Sequence, residues 1–400
     1  MTDKTESATS PSRVVLVSPL AHYAGHHWRD TYALANALAA TGVEVEAIVA
    51  TNPTGGGSIP GPIHYGLPSW WHGLTNRLSQ QGRREKVMRI FNNLETLACA
   101  LRALPCALSA RGGILHFLGG THIFIFLLAL CSRRPVFLSI YGEFLPPKSE
   151  HPNFRVRLRD RLLHHLLRAH KLVIICETDS LRDRWRWLLG DDIHTIPYAI
   201  TVPPALQSKA EARAAIGLPQ DVPILLLFGT QRAGKDYGVV LRAAALLQPQ
   251  VHLLFVGKTI SQNNPQRLAE ELGFKQATFI DRFVDEAEVP RFFFASDAAV
   301  LPYAEGFDRG SGVILDACAY GRPIIASRTG YLQWFVETHQ AGFLYRPGDA
   351  EELATVIRQL VALDATERKA LEDRVAKTAQ LHSWSEVVKT YLQVYRQYGR

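Results

Sequence analysis

Four hundred residues, 47% hydrophobic and 20% charged, supply enough apolar material for full cores in two domains and exclude an intrinsically disordered chain. A net charge of +7 is compatible with nucleic acid, an anionic surface or phosphorylated small molecules, so charge alone selects no partner. The longest apolar run, residues 123–131, falls well short of the roughly 20 residues a membrane-spanning helix needs.

The opening MTDKTESATSPSR is polar and carries acids, so it reads as a short tail rather than a secretory signal, and a cytoplasmic location is expected. Strand patterns follow at 14–18, 43–49, 114–117, 136–140, 172–176 and 194–196, with helical patterns between them. That alternation predicts an α/β fold of parallel sheets covered by helices. The first loop, 21–26, contains Gly25 and His26 and leads into a helix over 28–40, a nucleotide-fold opening without the full GxGxxG pattern.

Two stretches are basic and amphipathic. After Trp70-Trp71, Arg77, Arg83, Arg84, Lys86 and Arg89 interleave with Leu74, Leu78, Val87 and Ile90. Further on, Arg155, Arg157, Arg159, Arg161, Arg168 and Lys171 accompany Phe154, Leu158, Leu162 and Leu166 at four-residue spacing. Either stretch suits an anionic membrane surface, and either equally suits a core-facing stripe with a solvated basic back. The strand at 136–140 ends in Tyr141-Gly142-Glu143, where the residues read as a turn or as part of a site.

Five cysteines in mostly apolar surroundings, without CxxC spacing, read as reduced core residues. The His26-His27 and His164-His165 pairs have no acidic partner at metal-site spacing, so no metal is expected. Residues 201–222, with Pro203, Pro204 and Pro219, read as a linker plus a short helix. A domain boundary is therefore expected there, with a first domain over 1–200 and a second beginning at 201.

A second strand series is expected at 224–228, 251–256, 278–280, 298–301 and 323–326. The first of these strands ends in Gly229-Thr230-Gln231-Arg232-Ala233-Gly234-Lys235, where an arginine fork and a lysine point charge can grip a diphosphate, or stand as two exposed charges. The fourth opens the segment AAVLPYAEGFDRGSGVILDACAYGRPIIAS, read as strand, acidic glycine-rich loop, helix and strand. Ser311 is placed as the helix N-cap, and the amides of Gly310, Ser311 and Gly312 offer a phosphate seat. Asp316 falls among Val313, Ile314, Leu315, Ala317 and Cys318, where a carboxylate needs a partner and a ligand hydroxyl would serve. Glu305 and Asp308 read as ligand carboxylates or as solvated loop charges that favour the helix dipole. In an open parallel sheet both loops belong to the rim at the carboxyl ends of the strands.

These residues together resemble the retaining nucleotide-sugar glycosyltransferases of family 4, which have the GT-B fold. The matching pieces, in order, are GHHWRDTYALANALAATGVEVEAI, LVIICETDSLRDRW, IPYAITVP, FGTQRAGKDYGVVLRAA, HLLFVGK, the acidic segment and HSWSEVVKTYLQVY. The resemblance implies two Rossmann-like domains facing across a cleft, with an acceptor site in the first (1–200), a donor site in the second (201–380) and a C-terminal helix (381–400) that crosses back. It implies a nucleoside diphosphate sugar as donor, a carbohydrate or lipid-linked acceptor, no cofactor and no nucleic-acid partner. By position, Arg232 and Lys235 would hold the diphosphate beside Gly229 and the 310–312 amides, Asp308 and Asp316 would meet sugar and ribose, and Arg282 and Phe283 would meet the base. Both acids are Asp where the family has Glu, and Glu305 is an alternative to Asp308. Tyr141 and Glu143 stand where many relatives place a histidine, and Gly25 and His26 complete the acceptor side. Epimerases and glycosyl phosphorylases share this architecture, and a non-catalytic sugar-nucleotide binder is the remaining alternative.

Overall fold

The computed structural model describes residues 11–22, 27–53, 56–80, 85–109, 113–140, 154–190, 193–201, 207–247, 251–260, 262–307 and 310–398. It divides into one unit made of 1–197 and 384–400 and a second made of 198–383.

In the first unit the order is β1 (Arg13–Ser18), α1 (His27–Ala39), β2 (Glu44–Val49), β3 (Ile63–Tyr65), α2 (Trp70–Gln80), α3 (Glu85–Leu108), β4 (Ile114–Leu118), α4 (His122–Cys131), β5 (Val136–Ile140), α5 (Phe154–Arg168), β6 (Leu172–Cys176), α6 (Asp179–Leu189) and β7 (Ile193–Thr195). The strands pair in parallel in the order β3-β2-β1-β4-β5-β6-β7, so the direction of winding reverses between β1 and β4. Runs such as LVIIC and VFLSI are buried at every position, as strands covered on both faces must be.

The second unit contains α7 (Lys209–Ala215), β8 (Ile224–Phe228), α8 (Tyr237–Ala245), β9 (His252–Val256), α9 (Pro265–Glu271), β10 (Ala277–Ile280), α10 (Val289–Ala295), β11 (Ala298–Leu301), α11 (Gly312–Ala319), β12 (Ile324–Ser327), α12 (Gly330–His339), β13 (Gly342–Tyr345), α13 (Ala350–Ala362) and α14 (Ala365–Leu381). Its sheet is also parallel, in the order β10-β9-β8-β11-β12-β13, with the reversal between β8 and β11. Asp297 ties its start together: the carboxylate meets Lys209 at 2.6 Å and Arg213 at 2.7 Å, and accepts the Ile224 amide at 2.7 Å.

The last helix, α15 (Trp384–Tyr398), belongs to the first unit and packs on α1. Its Tyr391 and Tyr395 are buried, and the Tyr395 hydroxyl lies 2.7 Å from His116 Nδ1. Ser139 Oγ meets the other ring nitrogen at 2.8 Å, and burial pushes the His116 pKa down to about 3, which keeps the imidazole neutral. The expected α/β fold of two wound parallel sheets, with the C-terminal helix returned to the first unit, is thus what the chain adopts.

Three expectations need correction. Strands β3 and β13 were not anticipated; both are short sheet edges, where partial exposure weakens the apolar signal. The stripe expected on α5 divides, because Leu166 is buried and Leu162 partly buried while Phe154 and Leu158 are exposed. Of the stretch expected after Trp70-Trp71, α2 and α3 are described and are helical as expected, while residues 81–84, Arg83 and Arg84 among them, and the side chains of Arg77, Leu78, Lys86 and, on α5, Arg155 lie outside the described residues. Among the cysteines, Cys99, Cys176 and Cys318 are buried, but Cys131 is exposed because it ends the outer face of α4. Among the described residues, no helix is long and apolar enough to cross a membrane and no group of His, Cys, Asp and Glu is placed to hold a metal ion.

Candidate functional site

Ligands of wound parallel sheets bind at the carboxyl ends of the strands where the winding reverses. In the second unit that point lies between β8 and β11, and the two loops singled out from the sequence leave from these strands. They are hydrogen-bonded to each other. The Asp236 amide donates to the Pro302 carbonyl at 2.6 Å and the Ala304 amide to the Gly234 carbonyl at 2.9 Å, with Lys235 and Tyr303 paired in antiparallel fashion between them.

Gly229 makes the turn out of β8 with φ at +87° and its amide held by the Val256 carbonyl at 2.9 Å. A Cβ at this position would lie 3.4 Å from Val313 Cγ2 and 3.7 Å from Lys235 Nζ, so the first turn of α11 and the lysine both close on this one glycine. Lys235 is only 7% exposed. Its ammonium donates to the Phe228 carbonyl at 2.8 Å and stands 5.8 Å from the centre of the Tyr303 ring. Burial, reinforced by the charge of half-buried Arg232, lowers the lysine pKa to about 7. An ammonium held this way gains much from an arriving anion, because little water competes for it.

Tyr303 was missed in the sequence, although only Pro302 separates it from β11. Its hydroxyl is 3.0 Å from Ser311 Oγ, and its ring stacks on Phe307 with centroids 3.8 Å apart. It therefore joins the lysine loop to the mouth of α11. Here the structure corrects the role expected of Ser311: the residue occupies the N-cap with extended backbone, but its hydroxyl is engaged by Tyr303 and makes no side-chain cap. The first-turn amides are thus not capped by that hydroxyl. Gly312 faces open space, as an approach to these amides requires, and Gly310 is half-buried.

The remaining donor-side candidates are distributed as follows. Glu305 is exposed in the turn before Gly306, and Asp308 lies outside the described residues. Asp316 is half-buried on α11 rather than enclosed in the core; burial, with help from this carboxylate, pushes the Cys318 thiol well above its usual range. Arg282 and Phe283 follow β10 on the same rim. The Arg282 guanidinium is committed to Glu288 through a bidentate pair at 2.7 and 2.8 Å, a contact that sequence spacing did not reveal. Phe283, by contrast, is 61% exposed.

Of the acceptor-side candidates, Gly25, His26, Tyr141 and Glu143 lie outside the described residues. The structure places another group just beyond β1. His22 Nε2 lies 3.0 Å from Glu95 Oε1, both side chains being buried, and Trp71 Nε1 donates to the same oxygen at 2.8 Å. Nothing in the spacing of residues 22, 71 and 95 signals this meeting, which depends on α3 packing against β1.

Residues 208–379 match the family described as Glycosyl transferases group 1. This group 1 match covers most of the second unit, including the lysine loop, Tyr303 and α11. The lipopolysaccharide core biosynthesis glycosyltransferase LpsE of Rhizobium meliloti is 30% identical over 183 residues, 46% of this chain and 52% of its own length. The chain spans about half the length of the curated relatives it matches. Among solved structures, sucrose-phosphate synthase from Thermosynechococcus elongatus superposes with a TM-score of 0.69 at 20% identity, covering 96% of this chain and 98% of that one. HepE from Anabaena, solved in complex with UDP, gives 0.68 at 15% identity over 96% of this chain and 100% of its own. These likenesses extend the fold to the whole chain: two Rossmann-like α/β units of the kind found in GT-B glycosyltransferases.

Proposed function

We propose that the chain is a glycosyltransferase that moves a sugar from a nucleoside diphosphate donor to a carbohydrate or lipid-linked acceptor. The observation that carries this reading is the buried ammonium of Lys235, with a pKa of about 7, set between Gly229 and the mouth of α11. The group 1 match over the same residues supports it.

The donor diphosphate would lie against Lys235 and Arg232 with the Gly310, Ser311 and Gly312 amides beside it. Exposed Phe283 offers a ring face for the base. Rupture of the bond between sugar and phosphate leaves negative charge on the diphosphate, and cations already in place stabilise it without reorganising. Asp316 would meet a ribose or sugar hydroxyl, and Asp308 or Glu305 the sugar. By family resemblance the anomeric configuration is retained, the leaving phosphate helping to take the acceptor proton. The first unit would supply the acceptor side, and the buried pair of His22 and Glu95 stands just beyond β1.

Replacement of Arg232 by Ala should remove about 3 kcal/mol of transition-state stabilisation, roughly a hundredfold in turnover, while the chain melts as before. Release of nucleoside diphosphate from a panel of nucleotide sugars, with and without acceptor, measures this. Full activity of the variant would remove the diphosphate assignment, and conversion of the donor without acceptor would make the enzyme an epimerase.

A further inference from the structure

Helices α3, α4, α5 and α6 all contribute to the single core on one face of the sheet, with Cys99, Phe126, Leu166 and Trp185 as their inward residues. Right-handed crossovers that advance in one direction along the sheet place them there side by side, and α4 packs between α3 and α5.

The helix in the middle has no polar back. HIFIFLLALC contains no charged residue, and its outward side chains Ile123, Leu127 and Leu130 recur at one-turn spacing with exposures of 46%, 48% and 41%. On one side α3 continues this surface with Ile90, Leu94, Leu101 and Leu108, all exposed, over about 27 Å of helix. On the other side, α5 presents Phe154 and Leu158. An amphipathic helix of a solvated protein turns polar residues outward, so an outer face this apolar on three adjacent helices marks a docking surface.

Charge identifies the occupant. Arg157, Arg161 and Arg168 are exposed on α5 beside the apolar strip, and Arg89 on α3. The carboxylates of these three helices are few: Glu85 begins α3, Glu95 is buried against His22 and Trp71, and Asp160 is paired with Arg159. A second copy docked by a two-fold axis would bring the same arginine-bearing face to itself, with scarcely a carboxylate to meet it. An anionic bilayer provides both complements, hydrocarbon for the strip and phosphate for the arginines.

We propose that the outer face of α3, α4 and α5 seats the protein on an anionic lipid surface. Apolar side chains of α4 enter the boundary between headgroups and acyl chains, and the α5 arginines contact lipid phosphates. This inference does not rest on the donor assignment, since it concerns a different unit.

The test is sedimentation of the full chain with phosphatidylcholine vesicles, with and without phosphatidylglycerol, in the absence of nucleotide. Binding is expected to the mixed vesicles, to be stronger than to phosphatidylcholine alone, and to weaken as salt rises. A chain carrying both Ile123→Glu and Leu127→Glu should lose binding by more than tenfold. These side chains are exposed, so its melting temperature and its nucleoside diphosphate affinity should not change. Arg157→Gln, Arg161→Gln and Arg168→Gln together should weaken binding to anionic vesicles roughly a hundredfold, with little effect on the residual binding to neutral ones. Three results would each overturn the proposal: no binding to anionic vesicles at low salt, undiminished binding by the Glu variant, or a lipid-free dimer that the Glu variant converts to monomer.

Discussion

Lys235 Nζ donates to the carbonyl oxygen of Phe228 at 2.8 Å, so the ammonium is held against the last residue of the strand from which its own loop departs. That contact fixes the position of the charge and, among the described residues, gives it a carbonyl dipole rather than a carboxylate as partner, a state that favours binding of a diphosphate.

A pH dependence follows from the lysine. Its pKa of about 7 in the folded chain is below the ordinary lysine value, so folding favours the neutral form. The penalty on folding is greatest below about pH 7 and disappears as pH rises toward about 10.4, the unfolded value. Binding has the opposite sign, because a diphosphate favours the ammonium. Nucleoside diphosphate affinity should fall up to tenfold per pH unit above about 7, with proton uptake on binding. Calorimetric titrations between about pH 6 and pH 9 read this directly, and a pH-independent affinity with no proton uptake sinks it.

Gly229 should not accept a side chain. At φ +87° alanine is strained by about 1–2 kcal/mol, and its Cβ would stand in ordinary contact with Val313 and Lys235 Nζ, where the diphosphate would approach. Gly229→Ala is expected to lower stability by that amount and to weaken nucleotide binding more than the stability loss alone explains. A denaturant titration beside a binding isotherm separates the two effects.

Tyr303→Phe removes the hydroxyl that meets Ser311 Oγ at 3.0 Å and keeps the ring that stacks on Phe307. The cost to stability should be about 1 kcal/mol. With the mouth of α11 no longer tied to the lysine loop, nucleotide affinity should fall several-fold. If affinity is unchanged while stability drops, Tyr303 matters to the fold and not to the site.

Asp297 governs stability rather than chemistry. Burial pushes its pKa up, but Lys209, the Ile224 amide and Arg213 outweigh this and the net shift is downward. A depressed carboxylate contributes stability above its unfolded value of about 3.9 that is lost as pH falls through the folded value. Asp297→Ala leaves the buried Arg213 guanidinium without its carboxylate and should cost about 3–5 kcal/mol. Chemical denaturation at neutral pH measures the loss, and the difference from the parent chain should shrink in acid.

The wound sheets were legible because strands buried on both faces read as continuous apolar runs: residues 136–140, 172–176, 224–228 and 298–301 stand in the structure as the sequence placed them. The edge strands β3 and β13 were not, since three or four residues of mixed exposure carry no such pattern. The shared rim of the Arg232–Lys235 loop and the 310–312 turn was legible from topology, as both follow strands of one parallel sheet. The pairing of Arg282 with Glu288, the link from Tyr303 to Ser311 and the burial of Glu95 under His22 and Trp71 were not. Each depends on where a side chain points after packing.

By itself the sequence determined which segments become strands and helices and which loops carry cations, carboxylates and glycines, because these follow from local periodicity and backbone preference. Tertiary structure alone decided that Lys235 is buried, that Ser311 serves Tyr303 instead of capping α11, and that the apolar side chains of α4 face outward beside the arginines of α5. Desolvation, hydrogen-bond competition and the choice of inner and outer faces are properties of the packed molecule, and residues distant in the chain set them.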